Sequence, residues 1–430
     1  MRDATHAERD RRVAVVLVRN AVDHDSRVLR EARTLVALGL ETTVLGVVSF
    51  TQAQQVTEHD GFTVRRIGPA SRLGWAVYRE ISRLRPGRGG GAAATSAGQR
   101  PKSPARAAAR RLFRWLSTLA YYARAIAALR PMRPDLVHCN DYNTMWIGVA
   151  ARLLHRSAVV YDSHELWADR NLRSEPRWWL VACEALFVRV ADRVVTTSPA
   201  YADELARRYR IPTPVVVRNI PERAVESEQS GASRTVDGDG RTAIYVGGLQ
   251  PGRGLEQSIR ALAIAPDVRL RLLGPAAPEY RSGLEELIRS LSLEDRVELA
   301  EPVPPEELLD AVGGAGVGLA LIEPVCLSYR LTLPNKLFEY ALAGLPILGS
   351  DLPMIARFVD EHGLGATVDP GDPAAIAAAL GDLLEPRRNA QHRRAAAASA
   401  AILDWTRERE ILSGVYRDAL AARGDGGSET

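Results

Sequence analysis

Short apolar runs alternate with amphipathic stretches along nearly the whole chain. Val13 to Val18 and Glu41 to Val48 are rich in β-branched residues, and between them Val28, Leu29, Ala32, Leu35 and Val36 recur at helical spacing. Strand, helix, strand is the order this predicts. The alternation continues with runs at Phe62 to Ile67, Asp135 to Cys139, Ala158 to Tyr161 and Asp192 to Thr197, and with helical patterns at Trp178 to Val190 and Pro199 to Tyr209. It resumes with runs at Ala243 to Val246, Val268 to Leu273, Val297 to Leu299 and Val317 to Leu321. Helical spacing returns at Leu255 to Ile264, Pro373 to Leu384, Arg388 to Leu403 and from Trp405 to about Ala421. Apolar strands separated by helices predict parallel α/β sheets covered on both faces.

Two stretches interrupt the pattern. Glu222 to Gly240 is dominated by Ser, Gly, Asp and Glu, the composition of a linker, and divides residues 1–221 from 241–403. A terminal helix over 404–421 and a disordered tail over 422–430 complete the division. Arg85 to Arg106 is rich in Gly, Ala, Ser, Pro and Arg and predicts a mobile insertion at about 85–109. Arg110 to Leu129 then reads as an amphipathic helix, with Leu112, Trp115, Leu116, Leu119, Tyr122 and Ile126 on one side. Arg110, Arg111, Arg114 and Arg124 point to solvent or lipid head groups. Such a helix either packs on its own domain or lies in a membrane interface.

The chain of 430 residues is long enough for two cores, and 46% apolar with 25% charged residues is ordinary for a globular protein. Cys139, Cys183 and Cys326 are far apart and odd in number, which suggests neither a disulfide framework nor a zinc site and fits a reducing cytoplasm. Met1 to Arg12 lacks an apolar leader core, and no run reaches membrane-spanning length. Net charge is +4, yet Ser71 to Arg133 holds fourteen basic residues against Glu80 alone, a local +13 that leaves −9 elsewhere. No nucleic-acid motif accompanies that segment, so an anionic membrane surface, met peripherally from the inner face, is the better partner for it.

Candidate chemistry concentrates in Leu333 to Pro346, Leu-Pro-Asn-Lys-Leu-Phe-Glu-Tyr-Ala-Leu-Ala-Gly-Leu-Pro. Pro334 opens a helix that Gly344 and Pro346 end. A helix N-terminus offers free amides and the positive end of the dipole to an anion. Lys336 in its first turn is understandable if it meets a phosphate, and Glu339 one turn on can accept two hydroxyls, as from a ribose. The alternative is an amphipathic helix whose Lys and Glu are only solvated. Gly247 to Gly254, with Gly248 and Arg253, is a flexible loop through which amides and one cation can approach a diphosphate. Asp162-Ser163-His164-Glu165 ends a strand, where α/β sheets place ligands, whereas His138 lies inside one. The Arg19 to Arg27 loop has no Gly-x-Gly-x-x-Gly fingerprint, which argues against a dinucleotide dehydrogenase. Asp237-Gly238-Asp239 mimics a metal-binding Asp-x-Asp, but linker composition accounts for it.

The Pro-Asn-Lys-Leu-Phe-Glu-Tyr run resembles the nucleotide-sugar site of the family-4 glycosyltransferases, retaining enzymes of the GT-B fold. The resemblance implies two Rossmann-like domains facing across a cleft, with the last helix crossing back to the N-terminal one. It implies Glu339 on the donor ribose, His164 at the donor sugar and reacting centre, and Gly247, Gly248, Arg253, Asn335 and Lys336 around the diphosphate. Glu323 is a further sugar-hydroxyl acceptor, and the Asp-Ser-Arg-Val-Leu-Arg-Glu-Ala run puts Asn20 and Arg27 either toward the acceptor or a phosphate or into capping and helix solvation. A nucleoside-diphosphate sugar as donor, a lipid-linked or small-molecule acceptor, no cofactor, no metal and no nucleic acid complete the expectation. Two positions depart from the family: Leu331 stands where a second Glu is usual, and Gly248 where an Arg is. Those departures leave open a silent donor-binding subunit, and the fold leaves open a nucleotide-sugar 2-epimerase.

Overall fold

A computed structural model describes residues 11–23, 25–48, 56–68, 104–171, 173, 175–222, 240–304 and 307–424. Most of the basic insertion, nearly all of the 222–240 stretch with Asp237 and Asp239, and the tail from 425 lie outside the described residues.

The first sheet contains β1 (Val13–Leu17), β2 (Glu41–Val47), β3 (Val56–His59), β4 (Phe62–Ile67), β5 (Leu136–Asn140), β6 (Ala158–Ser163), β7 (Arg193–Thr196) and β8 (Val215–Val216). Their order is β3-β4-β2-β1-β5-β6-β7-β8, parallel except for the β3–β4 hairpin at the edge. That hairpin turns at Asp60-Gly61, where Gly61 has φ +85°, a conformation that favours glycine.

Helices α1 (Ser26–Ala37), α2 (Pro104–Leu129), α3 (Met145–His155), α4 (Arg177–Val190) and α5 (Pro199–Tyr209) cover this sheet. Period-two alternation sorts its side chains between two cores. Val15, Leu17, Val137, Cys139, Val159 and Tyr161 face α2 to α5, while Ala14, Val16, Val44, Leu136 and Val160 face α1. Asp25 caps α1, its carboxylate accepting from Val28 N at 3.2 Å.

The α2 helix starts at Pro104, earlier than the pattern suggests, and its packed stripe is offset from the predicted one. Tyr121, Ala125 and Leu129 enter the core with Tyr122 and Ile126 beside them, whereas Leu116 and Leu119 are 55% and 54% exposed. The last turns of the helix therefore hold it to the domain. Side chains before Leu116 in this helix lie outside the described ones.

The second sheet contains β9 (Thr242–Val246), β10 (Arg269–Leu273), β11 (Val297–Ala300), β12 (Val317–Ala320), β13 (Ile347–Ser350) and β14 (Gly365–Val368), in the parallel order β11-β10-β9-β12-β13-β14. Its helices are α6 (Leu255–Leu262), α7 (Pro278–Ser290), α8 (Leu308–Gly313), α9 (Leu327–Arg330), α10 (Asn335–Leu342), α11 (Pro353–His362), α12 (Pro373–Leu383) and α13 (Pro386–Ala400). Order reverses beside β1 in one sheet and beside β9 in the other, which opens a crevice at the carboxyl ends of the strands.

The final helix, α14 (Trp405–Gly424), returns to the first sheet. Trp405, Leu412, Val415, Tyr416 and Ala419 complete the core over α1. The Tyr416 hydroxyl lies 3.1 Å from His138 Nδ1, and Glu408 pairs with Arg218 at 2.6 Å. The two sheets thus face each other across a cleft in the GT-B manner. They also touch directly: Tyr201 of α5 donates to the Ser328 carbonyl at 2.7 Å, and Ser198 to that of Leu331 at 3.1 Å. Leu327 and Leu331 pack on the first domain's core, so the residue found where the family usually has a Glu makes an interdomain apolar contact.

Candidate functional site

Helix α10 is fixed to the second sheet before it presents anything to the cleft. Leu337, Phe338, Tyr340 and Ala341 are buried, and the Tyr340 hydroxyl sits among backbone groups of two strands, β9 and β12. It accepts from Val246 N at 3.0 Å and faces the carbonyls of Ile244 and Leu319 at 3.3 and 3.2 Å. The ring lies where a side chain at Gly318 would be, since a Cβ there would come within 2.5 Å of it. Pro334 is the N-cap, and no side chain caps the helix. The α10 amides and dipole therefore open onto a cleft of about 440 Å³.

Lys336 lines that cleft although it is 93% buried, because its exposure is only 7%. Its Nζ has no hydrogen-bond partner among the described residues and stands 3.5 Å from the centroid of the Tyr245 ring. Burial and the charge of Arg253 push the ammonium well down, with Glu339 opposing them. A ring face attracts the cation without neutralising it. Arg253 is held in a similar way, 4.5 Å over the Tyr329 ring. With the Gln250 amide turned to satisfy both groups, its carbonyl oxygen accepts from Arg253 Nη2 and Nε at 3.1 Å each.

The loop carrying Arg253 requires its glycines. Gly247 has φ +121°, and a Cβ at Gly254 would approach the Leu321 carbonyl to 2.2 Å. Gly248 is different, because its α-carbon faces open space. Glu339 completes this side of the cleft, and burial raises its carboxyl while Lys336 and Arg30 oppose the rise. Two cations without ion-pair partners among the described residues and one carboxylate thus converge at a helix N-terminus beside a glycine loop.

The opposite wall carries His164, just after β6. Its Nδ1 lies 3.6 Å from Asp141 and its Nε2 3.6 Å from Asp162. Burial alone would lower the imidazole, but the two carboxylates overrule it and raise it to about 10. Arg27 also borders the cleft, yet its guanidinium is committed: to Asp162 at 2.5 Å, to Glu31 at 3.1 Å and to the Val217 carbonyl at 2.9 Å. It is 3% exposed and holds these buried partners at the edge of the cleft.

His138 completes this network, 3.3 Å from Glu31 and 3.5 Å from Asp162. Glu31, His138 and Asp162 come close enough together to hold a metal ion, but Arg27 and the imidazole already supply the positive charge there. Asn20 is drawn into its own loop, donating to Asp25 at 2.7 Å and accepting from Val22 N at 2.8 Å, and does not line the cleft. Glu323 is likewise outside the lining, lifted by burial and by Glu256. Asn335, Gly247 and Gly248 do line it. Sequence reasoning missed Tyr245 and Tyr329, whose only signal is an aromatic at the end of a strand and another just ahead of the Pro-Asn-Lys run.

Among curated proteins, the chain is 30% identical over 324 residues to the D-inositol 3-phosphate glycosyltransferase of Acidothermus cellulolyticus, covering 70% of each chain. It is 28% identical to the protein of that description from Thermobispora bispora, covering 71% of this chain and 75% of that one. In fold it is similar to a sucrose-phosphate synthase from Thermosynechococcus elongatus, with a TM-score of 0.71 at 18% identity over 96% and 100% of the two chains. It is also similar to HepE of Anabaena in complex with UDP and glucose, with a TM-score of 0.65 at 16% identity over 94% and 99%. Residues 25–219 match the model of the glycosyl transferase 4-like domain, and residues 226–401 that of the glycosyl transferases group 1. The chain belongs to this group, the family-4 glycosyltransferases of the GT-B fold, and is an enzyme acting on a nucleotide-sugar donor.

Proposed function

We propose that the protein transfers a hexose-type sugar from a nucleoside-diphosphate sugar to an acceptor hydroxyl with retention, in the synthesis of a polysaccharide, glycolipid or other glycoconjugate. The carrying observation is the buried, unpartnered Lys336 ammonium beside Arg253 at the α10 N-terminus. Leaving such a charge uncompensated is costly, and an arriving diphosphate removes the cost. In this reading residues 241–403 hold the donor and residues 1–221 the acceptor, which is lipid-linked or a small molecule. The relatives named for D-inositol 3-phosphate glycosyltransfer and the neighbour holding UDP and glucose support a phosphorylated or polyol acceptor and a uridine donor as first choices.

Lys336, Arg253 and the amides of α10 meet the negative charge that develops on the leaving diphosphate, work that elsewhere falls to a metal. Glu339 accepts from the ribose hydroxyls. His164, kept cationic by Asp141 and Asp162, faces the sugar as a hydrogen-bond donor. Contacts of the kind made by Tyr201 with Ser328 close the cleft and exclude water, which favours transfer over hydrolysis.

The test is a panel of UDP-, GDP- and dTDP-sugars, with diphosphate release followed with and without acceptor. Release that depends on acceptor, and falls one to two decades in Glu339→Gln and Arg253→Ala for a loss of roughly 1.5–3 kcal/mol each, is the expected result. Turnover of the donor to an altered free sugar without acceptor would instead make the protein an epimerase. Unchanged kinetics in both variants would dismiss the site.

A further inference from the structure

The three helices α2, α3 and α4 lie side by side over one face of the first sheet, α2 against α3 and α3 against α4. Their inner sides build a core through Tyr121, Met145 and Phe187. Their outer sides are unusually apolar. Most of the large hydrophobic side chains exposed among the described residues belong to them: Leu116 and Leu119 on α2, the Leu153-Leu154 pair on α3, and Trp178, Trp179 and Leu186 on α4. Leu153 and Trp178 are 79% and 71% exposed, and the rings of Trp178 and Trp179 stand edge to face at 5.9 Å.

The charge in the sequences of these three helices has one sign outside the core. No acidic residue occurs in α2 or α3, and that of α4, Glu184, is fully buried, accepting from the Tyr161 and Tyr209 hydroxyls at 2.7 and 2.6 Å. The same helices carry eight arginines, from Arg106 to Arg189. Flanking acids are engaged: Asp169 pairs with Arg177 and Arg208, Asp192 with Arg152 and Arg423, and Glu175 acts on Arg173.

We infer that the outer faces of α2, α3 and α4 form one docking surface for an anionic lipid bilayer. Scattered single hydrophobics need no explanation, but a set on three adjacent helices does. Trp rings favour the head-group level of a bilayer, Leu side chains enter the acyl boundary, and arginines reach back along their stems to lipid phosphates. A second copy of this chain is a poor occupant, because apposed copies would bring arginine helices together with no acid between them. The surface differs from the one that α2 periodicity alone predicts, since Tyr122 packs inward and Trp178 and Trp179 come from a helix about fifty residues later.

Binding is measurable without catalysis, so its failure leaves the transfer reading standing. The full-length protein is sedimented with vesicles of phosphatidylcholine alone or with phosphatidylglycerol, across a salt series, while Trp emission is recorded. Binding to the anionic vesicles, a blue shift, and weakening with salt are expected. Trp178→Ser with Trp179→Ser, both exposed and so harmless to the core, lowers partitioning by about tenfold, and Arg177→Gln with Arg189→Gln lowers it and flattens the salt dependence. Equal recovery with neutral and anionic vesicles overturns the inference. So does binding that survives the double Trp variant, which places the contact elsewhere, or self-association through this face without vesicle binding.

Discussion

The two walls of the cleft hold similar charges in opposite ways. On the wall built by the first sheet, Arg27, His138, Glu31 and Asp162 form ion pairs with one another within 3.5 Å, out of contact with solvent. On the wall built by the second, Lys336 and Arg253 rest on the faces of Tyr245 and Tyr329 with no carboxylate in an ion pair to either among the described residues. A paired buried charge is explained by its partner. An unpaired one needs a ligand. The difference separates architecture from binding more sharply than residue type does, since both walls are built of Arg, Glu and His or Lys.

Breaking the paired wall should produce the largest effect. Asp162→Ala leaves Arg27 and His138 buried without their shared carboxylate, and unfolding by urea should lose about 3–5 kcal/mol. A loss below about 1 kcal/mol would mean that the network is dispensable. Breaking the unpaired wall should do the reverse. Lys336→Met removes a buried amine whose charging the empty protein opposes, so stability should hold or rise while donor affinity falls by roughly 1.5–3 kcal/mol in calorimetry.

pH distinguishes the walls further. His138 is raised to about 9 by Glu31 and Asp162 against the lowering effect of burial, and His164 to about 10. A group whose folded pKa exceeds its unfolded value near 6.5 contributes stability that is complete below 6.5 and is lost as pH rises through the folded value. Stability measured at fixed salt should therefore decline from about pH 6.5 toward 9–10, and His138→Gln should flatten part of that slope. The smallest effect sharpens the contrast from the other side. Gly248 has room for a side chain, and Gly248→Arg, which restores the family's usual cation at an exposed position, should tighten donor binding by only about 0.2–1 kcal/mol.

What the sequence reveals follows the range of the interaction. The α10 helix was legible because Pro334, the spacing of Leu337, Tyr340 and Ala341, and Gly344 are local signals. The β3–β4 hairpin carries an equally local Asp-Gly turn, and α7 has Pro278 at its start with Leu284 and Ile288 at helical spacing; both signals are local, yet the sequence pattern named neither element. Arg27 could not be assigned from its neighbours, because its partner Asp162 is 135 positions away and becomes adjacent only when β6 pairs beside β5. The aromatic supports of Lys336 and Arg253 were hidden for the same reason. Tyr245 lies one residue before the end of β9, Tyr329 belongs to a four-residue helix, and only the folded second sheet brings them under the two cations.

The return of α14 to the first sheet also has a consequence for biosynthesis. Trp405, Val415, Tyr416 and Ala419 cover a face of strands that leave the ribosome long before they do. At about 5–20 residues per second, that face waits roughly 10–40 s between the emergence of β8 and the arrival of α14. The first half of the chain therefore cannot close its core as it is made. A nascent chain stalled before Trp405 should be recognised by chaperones as unfinished, although every strand of its first sheet is already present.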